Sequence, residues 1–205
     1  MKLIFIRHGK TKGNTQGRYV GRTDEPLLPE SMEHLKKLAQ EYVISGPESD
    51  KGSFLRPELV VTSPMLRCRQ TADILFPNIP CFVQDGLQEM DFGEFEYKNY
   101  QELSGNRAYQ AYIDSGGRTA FPGGESPKKF KTRCCKAFLE AVNQADNTET
   151  NVVAFVVHGG TIMAVLEAFG EPRRSYFDWQ IKNGAYIWGE YFASGRIIID
   201  CGNIF

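Results

Sequence analysis

Two of the chain's three histidines stand where an apolar run stops and glycine follows. His8 comes after Leu3-Ile4-Phe5-Ile6-Arg7 and before Gly9, and His158 comes after Val152-Val153-Ala154-Phe155-Val156-Val157 and before Gly159-Gly160. In an open α/β sheet the ligand crevice lies beyond the carboxyl ends of the strands, so strand-ending imidazoles are candidates for chemistry. Arginines keep them company: Arg7 precedes His8, Arg67 follows a third apolar run, and Arg18 lies in the glycine-punctuated loop Gly17-Arg18-Tyr19-Val20-Gly21. Guanidinium forks match phosphate oxygens and stay charged at physiological pH. Two imidazoles among fixed cations describe a crevice built for a phosphate group.

The elements that must position these groups follow the pattern of strand, loop and helix. Leu3 to Ile6, Glu58 to Thr62 and Val152 to Val157 read as strands, each followed by a glycine or proline turn and a helical pattern, as on a largely parallel sheet. Ser63 as N-cap with Pro64 as first residue opens a helix from Met65 to Leu75, whose amide end also favours an anion. Gly159-Gly160-Thr161 opens another that runs through Phe169 and is stopped by Gly170 and Pro172. Ser31 to Ile44, with Leu35, Leu38, Ala39 and Tyr42, and a segment capped by Ser126-Pro127, with Phe130, Cys134, Phe138 and Val142, show helical spacing. Ala185 to Phe192 and Arg196 to Asp200 flank Ala193-Ser194-Gly195 as a hairpin at the sheet edge. The expected fold is three-layer α/β/α: a mostly parallel central sheet, helices on both faces and a C-terminal edge hairpin.

Composition narrows the classes. A chain of 205 residues is long enough for one domain, 1–205, with a large core. Its formal charge of −1 gives no overall attraction to nucleic acid or anionic lipid, so anion binding is local. Leu3 to Ile6 is too short for a leader core or a membrane span, and five cysteines without a Cys-x-x-Cys argue against a disulfide framework or thiolate metal site. A cytoplasmic protein is expected. Gly46 to Pro57 reads as a polar surface loop; Ser104 to Gly124, with a short helix from Asn106 to Asp114, belongs to a segment, 93–124, suited to cap a site. His34 and the Lys128, Lys129, Lys131, Arg133 cluster read as solvated helix faces, and Arg173-Arg174 receives no role.

Four signatures in this order resemble the histidine phosphatase superfamily, the phosphoglycerate mutase-like fold, over nearly the whole chain. They are Arg7-His8-Gly9, Asn14 with Arg18, the run Thr62-Ser63-Pro64-Met65-Leu66-Arg67-Cys68-Arg69-Gln70-Thr71-Ala72, and His158-Gly159; Gly123-Gly124-Glu125-Ser126 is similar to a phosphatase Gly-Glu-Ser element. The resemblance implies that His8 attacks phosphorus to form a phosphohistidine. Arg7, Arg67 and His158 surround the phosphoryl group, and Asn14, Arg18, Gly21 and Gly159 complete its binding set. The family takes the leaving-group proton from a glutamate in a segment like Leu87-Gln88-Glu89-Met90-Asp91-Phe92-Gly93-Glu94, which makes Glu89 the general acid and Asp91 and Glu94 its rivals. No metal or other cofactor is implied.

Among functions, a phosphomonoester hydrolase acting on a small phosphorylated metabolite comes first, with α-ribazole 5′-phosphate as the candidate substrate. A cofactor-dependent phosphoglycerate mutase and a non-catalytic phosphate-binding module are the alternatives. Mutases generally have His-Gly-Asn at His158-Gly159-Gly160, a threonine at Val20, a tyrosine at Phe92 and a longer insertion with paired arginines. Tyr97, in place of the family's usual glycine, and Lys10, in place of an acidic or amide residue, are departures expected to narrow the pocket mouth and add charge beside it. No residue pattern sets an oligomeric state.

Overall fold

The computed structural model describes residues 1–44 and 56–203. Strand β1 (Lys2–Arg7) lies at the centre of a seven-stranded sheet, with β2 (Leu59–Thr62), β3 (Cys81–Val83) and β4 (Val152–Val157) beside it in the order β3-β2-β4-β1, all parallel. Beyond β1 the order continues through β6 (Tyr186–Tyr191), β7 (Ile197–Asn203) and the two-residue β5 (Gly170–Glu171), and only β6 runs against the rest. The hairpin is therefore present but not marginal: β6 pairs with β1 in the interior, and β5 forms the edge beyond β7. β3 and β5 were not expected, because three and two residues are too short to show a period.

Both sheet faces are covered, which is why the strands are apolar without alternation. Leu3 and Phe5 point to the layer of α5 (Pro127–Asn147) and α6 (Gly159–Phe169), where Phe138, Ala141, Ile162 and Leu166 are buried. Ile4 and Ile6 point to α2 (Pro29–Ile44) and α3 (Leu66–Leu75), meeting Leu35, Leu38, Cys68 and Ala72. Each such side chain contributes about 1.5–3 kcal/mol by leaving water, so the sheet is the rigid part of the molecule.

Two further helices, α1 (Lys12–Thr15) and α4 (Arg107–Asp114), lie in the connections; α4 is the expected short helix, with Asn106 as its N-cap and not its first residue, and α1 was not foreseen. The span 93–124 builds a third cluster, with Phe95, Leu103 and Phe121 buried against Phe130 and Cys134 of α5 and Tyr19, Tyr109 and Tyr112 packed on it. The Gly46 to Pro57 loop falls largely outside the described residues. Among the described residues no helix is long and apolar enough to cross a membrane.

Candidate active site

The register of β1 on β4 pairs Arg7 with Val157, so the next residues, His8 and His158, leave neighbouring strands at one level. β2 joins β4 with Thr62 opposite Val156, which brings Ser63 to the same rim. The two imidazoles face each other edge to plane, centroids 5.2 Å apart at 69°. His8 is 4% exposed and His158 is fully buried. Burial first, then Arg67, holds both well below the usual imidazole pKa; Arg7 acts on both, and His8 adds to the lowering at His158. Both rings are therefore neutral at physiological pH.

His8 Nδ1 lies 2.7 Å from its neighbour's Gly9 carbonyl. A carbonyl only accepts, so Nδ1 carries the proton and Nε2 keeps a free lone pair, the form required of a nucleophile. The loop around it is pinned: Gly9 N–H donates to Thr71 Oγ1, and the His8 carbonyl accepts from Asn183 Nδ2. Thr71 and Gln70, which receives the Leu27 N–H, show why the run after Arg67 has those residue types.

Arg67 is completely buried; Nη1 donates to Thr23 O and Nη2 to Gly21 O and Val20 O, which shapes the loop after Arg18. Arg7 Nη1 donates to Ile181 O, and Gly159 lets its guanidinium lie close, since a Cβ there would stand 3.2 Å from Nε. The Nε atoms of both arginines are buried without a partner. A buried donor left unpaired costs about 1–3 kcal/mol, so each of these two nitrogens is a place where an acceptor would be stabilising.

Asn14 accepts from Thr11 N–H and Asn183 Nδ2 through Oδ1, which leaves its Nδ2 without a partner among the described residues. Gly21 is differently engaged: its N–H donates to Glu96 Oε1, and a Cβ would stand 2.0 Å from Met90 O, so its contacts hold the loop that Arg67 grips. Arg18 lines the cleft, but both of its terminal nitrogens are paired with Glu102 and Nη1 also reaches Tyr97 O. The helix end after β2 is another correction. The N-cap is Met65, and the Leu66 N–H goes to Asp24 Oδ1 at 2.7 Å, while Ser63 Oγ stands 2.8 Å from His158 Nε2. An amide expected to greet an anion already holds a carboxylate, and the expected cap orients the second histidine. Cys68 Sγ lies 3.5 Å from the same nitrogen, with burial pushing its thiol up to about 12, so it stays neutral.

Glu89 faces this cluster from a stretch between β3 and α4. Its Oε1 accepts from Met90 N–H and its Oε2 from Gly160 N–H at 3.0 Å. That second bond needs glycine, because a Cβ at 160 would stand 2.2 Å from Oε1. The rivals are elsewhere: Asp91 is spent on Arg22 and Gly93 N–H, Glu94 is exposed, and neither lines the cleft.

The cleft beside Glu89 and Arg7 encloses about 700 Å³, with Tyr19, Phe92, Tyr112, Tyr176 and Phe177 among its walls. His8, Arg67 and His158, all buried, are not among its walls, which include their chain neighbours Arg7 and Gly159. Neither Tyr97 nor Lys10 reaches it. Tyr97 has a left-handed φ of 59°, which explains the family's glycine there, and its hydroxyl donates to Glu25, the residue that holds Gly13 N–H. The basic cluster is not one solvated face: Lys128 and Lys131 line the cleft, and Arg133 is turned inward onto Glu125 and the backbone before Glu89. His34 is exposed, as expected. Asn183, Arg133 and the histidine-facing Ser63 are the functional neighbours that residue types alone did not reveal.

A family model, the histidine phosphatase superfamily (branch 1), matches residues 3–203. A broad-specificity phosphatase of Saccharomyces cerevisiae is 30% identical over 173 residues, 82% of this chain and 69% of the relative. An adenosylcobalamin/alpha-ribazole phosphatase of Escherichia coli is 24% identical over 191 residues, 91% of this chain and 88% of its own length. The crystal structure of the alpha-ribazole phosphatase from Shigella flexneri shares the fold, with a TM-score of 0.81 at 21% identity over 99% of this chain and 96% of that one. With its two strand-ending histidines, the chain belongs to branch 1 of the histidine phosphatase superfamily and is a phosphatase.

Proposed function

We propose that the protein hydrolyses small phosphomonoesters through a phosphohistidine on His8, without a metal ion. The observation that carries this reading is the His8 ring: Nδ1–H is committed to Gly9 O and Nε2 is free, beside two buried guanidiniums whose Nε donors lack partners. The phosphoryl oxygens complete those donors, with Asn14 Nδ2 adding another. His8 Nε2 forms the P–N bond as the ester P–O bond breaks in line, and Glu89, in its carboxyl form, gives its proton to the departing oxygen. Glu89, now ionised, takes a proton from the water that attacks phosphorus, and His8 leaves as a neutral imidazole. His158, Arg7 and Arg67 stabilise charge on the transferring group. Arg18 and Gly21 act one step away in this reading, by shaping the loop over Arg67.

For substrate we put α-ribazole 5′-phosphate first. The aromatic walls of the cleft suit a leaving alcohol that carries a ring, and relatives bear that name. The span 93–124 serves as the cap that supplies part of those walls. A metal-free screen of α-ribazole 5′-phosphate, sugar phosphates and phosphoglycerates, with acid-labile and alkali-stable phosphate trapped on His8, tests the proposal. Label on another residue refutes the mechanism; transfer of the phosphoryl group between positions of phosphoglycerate without release marks a mutase, and no turnover of any ester by folded protein marks a binding module.

A further inference from the structure

Glu89 sits in a stretch that no strand or α-helix holds, yet a general acid must meet the leaving oxygen within hydrogen-bond reach. What holds it comes from α5. Arg133 Nη1 donates to Gly86 O at 2.9 Å and Gln88 O at 3.0 Å, and Nη2 reaches Glu89 O at 3.4 Å. The same guanidinium is gripped from the other side by Glu125, whose carboxylate accepts from Nε at 3.1 Å and Nη2 at 2.7 Å. Five acceptor atoms around one planar fork, three carbonyl and two carboxylate oxygens, define both its position and its plane, which a lysine ammonium cannot reproduce.

The backbone is shaped to fit. A Cβ on Gly86 would stand 2.5 Å from Ala137 Cβ, so the stretch lies directly against α5 where Arg133 can span it. Thr161 Oγ1 donates to Leu87 O from the α6 side. Glu125 directly follows the cap span, and its N–H donates to Asp91 O, just past Glu89. Arg133 thus ties three carbonyls before and at the acid to the carboxylate that follows the cap.

We infer that Arg133, oriented by Glu125, is a positioning residue for Glu89: it fixes the carbonyl path from Gly86 to Glu89 so that the carboxyl group reaches Gly160 N–H and the leaving oxygen. The inference rests on the reading of Glu89 as general acid. It makes proton delivery, not phosphoryl binding, the step that depends on this guanidinium.

The test compares p-nitrophenyl phosphate, whose leaving group needs little proton help, with an alkyl phosphate such as glycerol 3-phosphate, whose alkoxide needs much. Arg133→Gln is expected to lower kcat on the alkyl ester about tenfold or more and on p-nitrophenyl phosphate less than about threefold, a part of the roughly hundredfold or larger contribution of general acids. Glu125→Gln, which leaves the arginine's carbonyl bonds in place, is expected to give the same bias at smaller size and serves alone if Arg133→Gln does not fold. Arg133→Gln added to Glu89→Gln is expected to cost no further alkyl-ester activity. Equal losses on both esters, or additive losses in the double variant, overturn the positioning role. If Glu89→Gln itself shows no leaving-group bias, the reading of the acid fails and the inference with it; if Glu89→Gln is biased while both clamp variants are not, the inference alone fails.

Discussion

His8 stands one residue past a six-residue strand paired on both sides, whereas Glu89 stands in a stretch whose only regular pieces between β3 and α4 are two three-residue 3-10 turns. The nucleophile's corner inherits its geometry from strand register: Arg7 opposite Val157 places both histidines, and Thr62 opposite Val156 places Ser63. The acid's corner has no register to inherit. It is assembled from side chain to backbone bonds, with Arg133 on the carbonyls and Gly160 N–H on the carboxylate. In the proposed mechanism, the part that makes the covalent bond is thus built into the core, and the part that manages the proton is attached to it. Damage to the first should remove all chemistry; damage to the second should depend on how much the leaving group needs a proton.

The contrast is broken most severely at His8. His8→Ala is expected to abolish turnover of every ester, including p-nitrophenyl phosphate, and measurable burst or steady-state release in that variant would reassign the nucleophile. Arg67→Ala comes next, at about a hundredfold or more in kcat/KM with either ester, because the lost group meets the phosphoryl oxygens in the proposed mechanism and also holds the carbonyls of residues 20, 21 and 23. Gly160→Ala sharpens the comparison from the other side: a methyl 2.2 Å from Glu89 Oε1 must displace the carboxylate, and kcat on alkyl phosphates should fall about tenfold more than on p-nitrophenyl phosphate. A uniform loss there would place the damage in the His158 turn instead.

The smallest effect is on stability. Both buried histidines are neutral in the folded protein, with pKa values held below the ordinary 6.5. The unfolded chain binds more protons as the pH drops through that value, so stability is full above about pH 6.5 and is lost progressively below it. Thermal unfolding scanned from pH 8 to pH 5 without phosphate should show the midpoint falling over the acidic part of that range, and a His8→Asn variant should show a shallower fall.

How much of this was legible depended on the distance over which each residue's partner lies. A histidine ending an apolar run is a local pattern, and it correctly located both imidazoles, the parallel strands and the helices that follow. Ser63 before Pro64 is also a local pattern, and there it misled: the serine's partner is a histidine 95 residues on, and the helix end is capped by Asp24 from 42 residues before. Arg133 looked solvated because a charged side chain on a helix usually is; its place next to the buried Phe130 and Cys134 on α5 was the signal that it faces inward. Strand order carries no local mark at all, so the hairpin could be seen but not its place inside the sheet.

The two unpartnered guanidinium nitrogens have a consequence for the protein as a thermodynamic object. Without an anion, the folded state retains two desolvated donors that the unfolded chain would offer to water. On the proposed mechanism inorganic phosphate, the reaction's own product, would relieve that cost only in the folded state, so by linkage it is expected to act at once as a competitive inhibitor and as a stabiliser whose effect grows with its concentration. In that reading catalytic readiness and product affinity are one property, and each arginine that prepares the site for ester also slows its clearance.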